Sequence, residues 1–278
     1  MSIEYSEYST SRSDRASAFR DFNVPQNYHK YLEPYIFQPW AERLIGFARL
    51  EVGHTVLDVA SGTGAVARAA ARRVGVFGRV VASDISPAMV AAIVNYGSDG
   101  APIETLECPA TRLSVQDHSF DRVLCQQGLP FIPDRIGAIH EMRRAVRDGG
   151  VVCVVVFACE HRCEPFETYL EVLRDRGISP PFPNAYDTNS YVMSESDVMG
   201  VFEKAGFSEI DVCTEQIEIS WPDAGTAAAG ISGTPFGAVI SRLEASFQQD
   251  VVEEIAKRFG SNKPVTRISK SVLARAVA

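Results

Sequence analysis

The sequence predicts an α/β fold in which helices cover both faces of a doubly wound, mostly parallel sheet. Residues 56–59 form an apolar run typical of a buried parallel strand, and a glycine turn and an Ala- and Arg-rich run over residues 65–74 follow it. Short apolar runs then alternate with helix-like patterns along the chain. Residues 151–158 are almost continuously apolar, which is typical of a central strand that is buried on both faces.

The other elements are predicted from periodicity and from capping residues. Further strands are expected at residues 78–84, 102–108, 119–126, 210–219 and 263–276, which gives seven strands in all. Helices are expected at residues 38–50, 134–147, 165–176, 194–205 and 241–259. Ser86 before Pro87 is typical of a helix start, and Ser194 with Asp197 forms a capping pair. Residues 224–237 are mostly small, and we expect them to be flexible.

Composition limits the classes of partner. The chain has 278 residues, of which 46% are hydrophobic, and this is enough for a full core. Its 27 basic and 35 acidic residues give a net charge of −8, which argues against a nucleic-acid-binding surface. No run of 18 apolar residues predicts a membrane span, and the polar residues 1–21 lack the apolar segment of a secretory signal, so we expect a cytoplasmic protein.

The cysteines do not predict a metal site. Six cysteines are scattered along the chain, several within apparent strands, as is typical of small buried side chains. Cys159, His161 and Cys163 place three donors within five residues, but no second pair of ligands accompanies them. We therefore expect free thiols and no metal ion.

The glycine turn after the first strand predicts a ligand-binding corner, because glycines allow a close approach and the next helix begins with unpaired N–H groups. A turn of this kind also occurs in dinucleotide-binding proteins. Here Asp58 precedes Gly62 and Gly64, and its carboxylate would repel a pyrophosphate. Asp84, 20 residues after Gly64, ends the second strand and can accept both hydroxyls of a ribose. The ligand so described has a ribose, a cationic end and no phosphate, as S-adenosylmethionine has.

Residues 41–160 resemble class I S-adenosylmethionine-dependent methyltransferases, in particular the small-molecule branch that includes quinone-biosynthesis enzymes. The sequence departs from the family pattern at two places. Ala60 replaces the first glycine of the turn, and Pro109 replaces an acidic residue that usually holds the adenine amino group. The resemblance implies a Rossmann-like, seven-stranded sheet with an antiparallel last strand. It also implies S-adenosyl-L-methionine as the cofactor and a small molecule as the methyl acceptor, at an oxygen, nitrogen or carbon atom.

The resemblance and the strand ends together assign candidate cofactor contacts. Asp58 is expected near the methionine ammonium, Asp84 at the ribose, and the turn backbone along the ligand. The remaining candidates flank the adenine, lie near the methionine end or cover the sulfonium with an aromatic ring. The full set of candidate cofactor-binding residues is Tyr28, Tyr31, Asp58, Ala60, Ser61, Gly62, Asp84, Ile85, Met89, Ala110, Thr111, Gln126 and Gln127.

Methyl transfer from a sulfonium depends first on alignment and on the exclusion of water. A general base is needed only for an acceptor that stays protonated, and His161 after the fifth strand is the best-placed candidate. Two alternatives stay open at this point, a nicotinamide-dependent oxidoreductase and a non-catalytic cofactor-binding protein.

The chain is expected to form one domain in four parts. Residues 1–40 form a lead-in and an aromatic lid, and residues 41–159 form the cofactor-binding core. Residues 160–207 form a cap over the acceptor pocket. Tyr186, Tyr191 and Met193 are candidates to line that pocket. Residues 208–278 complete the sheet.

Overall fold

A computed structural model describes residues 23–159, 162–182, 184–260 and 263–278 of the chain. The proposed base His161 lies outside these residues, as does most of the predicted lead-in. In the described part of the chain, no helix combines the length and the apolar character that crossing a bilayer requires.

One sheet organises the structure, with the strand order β3-β2-β1-β4-β5-β8-β7 and β6 paired to β5. All neighbouring strands are parallel except β8, which is antiparallel to both β5 and β7. The strands are β1 Thr55–Val59, β2 Arg79–Asp84, β3 Ile103–Glu107, β4 Phe120–Gln126, β5 Val146–Ala158, β6 Val192–Met193, β7 Ile210–Trp221 and β8 Val265–Val277. The predicted fold class and antiparallel last strand are confirmed, and the eighth strand is the two-residue β6.

Helices pack against both faces of the sheet. They are α1 Asn23–Asn27, a π-helical segment Tyr28–Phe37, α2 Gln38–Phe47, α3 Ala65–Val74, α4 Pro87–Tyr96, α5 Arg135–Ala145, α6 Phe166–Asp175, α7 Glu195–Lys204, α8 Ala224–Ala229, α9 Pro235–Ile240 and α10 Ala245–Phe259. One apolar layer includes side chains of α2, α3, α6, α8 and α10, and the other includes those of α5 and α7. Two-sided burial explains why β5 is apolar at successive positions, since its side chains alternate between the two layers.

Local capping agrees with the sequence. The Ser86 hydroxyl accepts a hydrogen bond from the Met89 N–H at 3.4 Å, and Pro87 occupies the first turn of α4. Ser194 and Asp197 form a reciprocal capping box at the start of α7. These hydrogen bonds satisfy N–H groups that a helix start leaves unpaired.

Some expected elements differ from those in the structure. Residues 224–237, which their composition predicted to be flexible, form α8, a 3₁₀ turn at Gly230–Gly233 and α9, where glycines lie close to neighbouring atoms. The helix expected at residues 241–259 begins only at Ala245. β5 begins at Val146, where a helix was expected, because Val146 pairs with Phe120 of β4 and Gly150 bonds to the chain end at Ala278.

Candidate functional site

Three strand ends meet at one edge of the sheet. In the β1 register, Asp58 lies beside Ala82 of β2 and Leu124 of β4. Asp84 is two residues after Ala82 and is the last residue of β2, and Gln126 is two residues after Leu124 and is the last residue of β4. Both therefore lie just beyond Asp58 at the same edge of the sheet. The carboxyl ends of parallel strands are the usual binding edge of such sheets.

The turn after β1 has an unusual backbone. Ala60, Gly62 and Gly64 have positive φ angles of 55°, 54° and 90°. Glycine adopts this left-handed conformation at little cost, whereas Ala60 is strained by its Cβ. The turn is held to β2 by the Ser61 N–H, which donates to the Ser83 carbonyl at 3.0 Å. Residues 60–64, which we call the glycine loop, are therefore shaped to present backbone to a ligand.

Asp58 is a buried carboxylate without a hydrogen bond. It is 1% exposed, and among the described residues neither of its oxygens has a partner of normal geometry. Burial raises the pKa of Asp58 well above its usual value, and the nearby Ala67 N–H opposes this only in part. An unpaired buried carboxylate is costly, so this group is suited to a ligand that brings a positive charge and donors.

Two more unpaired oxygens accompany Asp58 around a small cavity. The Oγ of Ser61 and the Oε1 of Gln126 are buried and have no partner among the described residues. Gln126 Nε2 donates to the Phe37 carbonyl at 2.8 Å, and a carbonyl can only accept, so the free atom of this amide is the oxygen. The cavity is lined by Tyr28, Phe37, Asp58, Ala60, Ser61, Gly62, Thr63, Ala65, Val66 and Gln126. It therefore offers several hydrogen-bond acceptors to a ligand.

Asp84 is held rigidly by backbone donors. One carboxylate oxygen accepts from the Gly62 N–H at 2.9 Å and the other from the Ser86 N–H at 2.8 Å. Burial raises its pKa, while hydrogen bonds from Ser86, Gly62 and Ile85 act in the opposite direction. Each oxygen retains acceptor capacity for a ligand hydroxyl. Ile85 is 43% exposed beside it, and Met89 is buried behind it.

A larger cavity adjoins this group and has an apolar wall. It encloses about 1420 Å³ of empty space, counting its opening to solvent. Its aromatic side chains are Tyr28, Phe37, Phe131, Phe157, Phe166, Tyr169, Phe182, Tyr191 and Phe236. Among the described residues Asp84 is the one acidic or basic side chain in its lining. The cavity suits a neutral apolar molecule next to the glycine loop.

Most of the predicted cofactor-binding residues lie around the two cavities. Ten of the candidates line one or both cavities: Tyr28, Asp58, Ala60, Ser61, Gly62, Asp84, Ile85, Met89, Gln126 and Gln127. Tyr31, Ala110 and Thr111 do not line either cavity, and Tyr31 lies under the Lys30 ammonium, 4.7 Å from the ring centroid. Of the candidates in the cap, Tyr191 lines the larger cavity, whereas Tyr186 and Met193 do not.

The phenylalanines of the larger cavity and the acid Glu33 are not among the residues predicted from the sequence. The phenylalanines come from segments far apart in the chain, including α6, β5 and α9. No periodic pattern identifies these phenylalanines. The high density of aromatic residues between positions 28 and 40 points only to Phe37. Across the described residues, no cluster of three or more His, Cys, Asp or Glu side chains has the arrangement of a metal site.

The central region is similar in sequence to known methyltransferases. Residues 57–154 match a sequence-family profile described as a methyltransferase domain. The chain is 38% identical over 120 residues to the ubiquinone/menaquinone biosynthesis C-methyltransferase UbiE of Bordetella avium, covering 43% of this chain and 47% of that protein. It is 36% identical over 124 residues to UbiE of Cupriavidus necator, covering 43% and 49%. The chain thus spans about half the length of these curated relatives.

Solved structures share the fold. The YcgJ protein from Bacillus subtilis has a TM-score of 0.54 at 18% identity, and the similarity covers 86% of this chain and 98% of that one. A SAM-dependent methyltransferase from Aquifex aeolicus has a TM-score of 0.51 at 16% identity, with coverage of 97% and 100%. The predicted resemblance to class I methyltransferases is therefore confirmed for the fold and for the sequence of the central region.

Proposed function

We propose that this protein is an S-adenosylmethionine-dependent methyltransferase that acts on a small, apolar acceptor. The observation that carries the proposal is the unpaired carboxylate of Asp58, buried beneath the glycine loop with the free oxygens of Ser61 and Gln126 beside it. An α-ammonium group brings one positive charge and three donors, which complement these acceptors.

The residues present fit the rest of the cofactor. Asp84 accepts hydrogen bonds from the ribose hydroxyls, with its orientation fixed by the Gly62 and Ser86 N–H groups. Ile85 covers one face of the adenine, since it is an exposed apolar side chain on the cavity wall directly after Asp84. Met89 lines the same wall. Backbone groups of the glycine loop bind along the methionine portion.

A dinucleotide fits this site less well. A pyrophosphate at the glycine loop would face the buried carboxyl group of Asp58, which repels it when ionised and offers it no positive charge when protonated. A cationic nucleoside reverses the sign of that interaction. The charge at Asp58 thus favours the methyl donor over a nicotinamide cofactor.

The larger cavity is proposed to hold the acceptor. Its wall is apolar and aromatic, so it favours a neutral ring-containing molecule over a charged one. The relatives from Bordetella avium and Cupriavidus necator are named C-methyltransferases of ubiquinone and menaquinone biosynthesis. An apolar acceptor in this cavity is compatible with that chemistry.

Bound S-adenosylmethionine supplies an activated methyl group on a sulfonium. The side chains of this cavity contribute by holding the acceptor within about 3–3.5 Å of that methyl group and by excluding water. Burial raises the pKa values of the phenols of Tyr28 and Tyr169 and of the Cys163 thiol, so these groups stay protonated and are poor bases. We therefore propose catalysis by positioning, with the acceptor already nucleophilic or activated by His161.

Calorimetric titration of the full chain tests the proposed cofactor. S-adenosylhomocysteine is expected to bind with a Kd in the micromolar range, and NAD⁺ under the same conditions is expected to give no heat of binding. Tight binding of NAD⁺ with none of S-adenosylhomocysteine would refute the proposal. Turnover is then tested with S-adenosylmethionine and neutral aromatic acceptors, by mass spectrometry of the product for one added methyl group.

A further inference from the structure

Glu33 is a charged residue in an unexpected place. It lies in the π-helical segment, outside the matched region at residues 57–154, and it is only 5% exposed. Glutamate is rarely buried to this extent unless other groups compensate its charge. The groups that surround Glu33 must therefore compensate its charge.

The carboxylate of Glu33 has three partners. Its Oε2 accepts a hydrogen bond from the Thr63 hydroxyl at 2.6 Å and lies 3.0 Å from the Nδ1 of His29. Its Oε1 accepts from the Nη2 of Arg68, which is itself 12% exposed. His29 in turn stacks on the ring of Tyr96 in α4, with the ring centroids 3.6 Å apart. The charge of Glu33 is thus well compensated.

Two of these partners are also bonded to each other. Arg68 Nη1 donates to the Thr63 carbonyl oxygen at 2.7 Å, so Glu33, Arg68 and Thr63 form a closed ring of interactions. Thr63 is 1% exposed and lies between Gly62 and Gly64, which both have positive φ. Glycines lose much conformational freedom when a single conformation is imposed on them. A ring of contacts on Thr63 therefore restrains the segment of the glycine loop that contains Gly62 and Gly64.

We propose that Glu33 is a positioning residue for the methyl donor, which acts through Thr63 to hold the glycine loop in its binding conformation. The inference rests on the proposed function, because the ligand of the loop is the donor. Preorganisation raises affinity because the loop need not be ordered when the ligand arrives. The same contact ties residues 23–47, which we call the N-terminal cover, to the loop. Tyr28 and Phe37 of this cover line both cavities.

Removal of a single hydroxyl tests this role with little change of shape. In Thr63→Val, the branched side chain stays but its hydrogen bond to Glu33 is lost, whereas Thr63→Ser keeps the hydroxyl. We expect T63V to raise the Kd of S-adenosylhomocysteine about tenfold, the effect of one buried hydrogen bond to a charged group. T63S is expected to recover most of the affinity. Equal affinity of T63V and the wild type would overturn the proposal.

A second pair of variants separates positioning from general stability. Glu33→Gln removes the charge that Arg68 and Thr63 share, while Glu42→Gln removes a surface carboxylate whose 2.9 Å ion pair with Arg72 does not touch the loop. We expect E33Q to raise the Kd of S-adenosylhomocysteine at least fivefold, and E42Q to leave it within twofold. The same loss of affinity in both variants would overturn the role of Glu33.

The double variant E33Q/T63V completes a thermodynamic cycle. If Glu33 acts through Thr63, the combined loss of affinity is smaller than the product of the two single losses. If the combined loss of affinity equals the product of the two single losses, Glu33 does not act through Thr63. Absence of S-adenosylhomocysteine binding by the wild type would refute the proposed function itself, whereas wild-type binding with an unaffected T63V refutes only this inference.

Discussion

Gly233 lies directly against the backbone of Tyr28, where a Cβ atom on Gly233 would come within 2.7 Å of both the Tyr28 nitrogen and its Cα. Gly233 ends the 3₁₀ turn between α8 and α9, and Tyr28 begins the π-helical segment. This contact brings the C-terminal part of the chain against the N-terminal cover. Both residues line the larger cavity, so their contact helps to shape it.

Gly233→Ala is expected to displace the cover. The added methyl group would clash with backbone atoms, and no change of side-chain rotamer can relieve such a clash. We therefore expect the free energy of unfolding to fall by about 1–3 kcal/mol, as is typical of overpacking. The Kd of S-adenosylhomocysteine should rise as well. Thermal unfolding and calorimetric titration measure the two effects.

The matched control for this variant is Gly46→Ala in α2. A Cβ at Gly46 meets nothing within 4 Å, and alanine stabilises a helix relative to glycine by about 0.5–1 kcal/mol. G46A should therefore unfold at a higher temperature than the wild type. If both alanine variants unfold like the wild type, the close contact at Tyr28 does not constrain the cover.

Asp58→Asn should stabilise the ligand-free protein while weakening its affinity for the donor. Among the described residues the buried carboxylate has no hydrogen-bond partner of normal geometry, and each unit by which burial raises its pKa corresponds to about 1.4 kcal/mol. We expect D58N to unfold at a temperature at least about 2–4 °C higher. The Kd of S-adenosylhomocysteine should rise tenfold or more, because the ammonium loses its ion pair. If D58N is less stable than the wild type, the buried carboxyl group of Asp58 does not destabilise the ligand-free protein.

Asp58 should also link cofactor binding to proton release. An unfolded aspartate has a pKa of about 3.9, whereas burial raises the folded-state pKa well above this value. Between the two pKa values the folded chain binds more protons than the unfolded chain, so this contribution to stability falls as pH rises. A bound ammonium favours the ionised carboxylate and lowers its pKa again.

Titration with S-adenosylhomocysteine in buffers of different ionisation enthalpy measures this linkage. The wild type is expected to release more protons on binding than D58N when both are measured at the same weakly acidic to neutral pH. The same number of protons released by both proteins would show that Asp58 does not face the ammonium.

Asp84→Ala should weaken cofactor binding strongly without unfolding the chain. The substitution removes the acceptors for the ribose hydroxyls and leaves the Gly62 and Ser86 N–H groups without their present partner. We expect the Kd of S-adenosylhomocysteine to rise by on the order of a hundredfold, the effect of about two hydrogen bonds to a charged group. Far-ultraviolet circular dichroism should stay close to that of the wild type.

Asp99→Ala serves as the control for the loss of an acidic residue. Asp99 forms a 3.6 Å ion pair with Arg72, and its side chain is 70% exposed. Such surface pairs contribute little to stability, about 0–1 kcal/mol. D99A should therefore bind S-adenosylhomocysteine like the wild type, and an unchanged affinity in D84A would contradict the ribose assignment.

The sequence by itself determined the sheet and the polar half of the site. The position of Asp58 and Asp84 at strand ends is fixed by local pattern, because a short apolar strand must end where the glycine turn or a capped helix begins. Parallel pairing then places the ends of β1, β2 and β4 at one edge. Local sequence patterns and parallel strand pairing were therefore sufficient to predict where these strand ends lie.

Only the tertiary structure decided how the site is enclosed. The contact of Glu33 with Thr63 joins residues 30 positions apart, and that of Gly233 with Tyr28 joins residues 205 positions apart. The small residues at 224–237 indicated flexibility by composition, yet glycines of this segment pack closely against other parts of the chain. Such contacts depend on which surfaces meet after the sheet has formed, and no periodicity within one segment encodes that choice. Whether a buried carboxylate has a partner is likewise decided by every element packed around it.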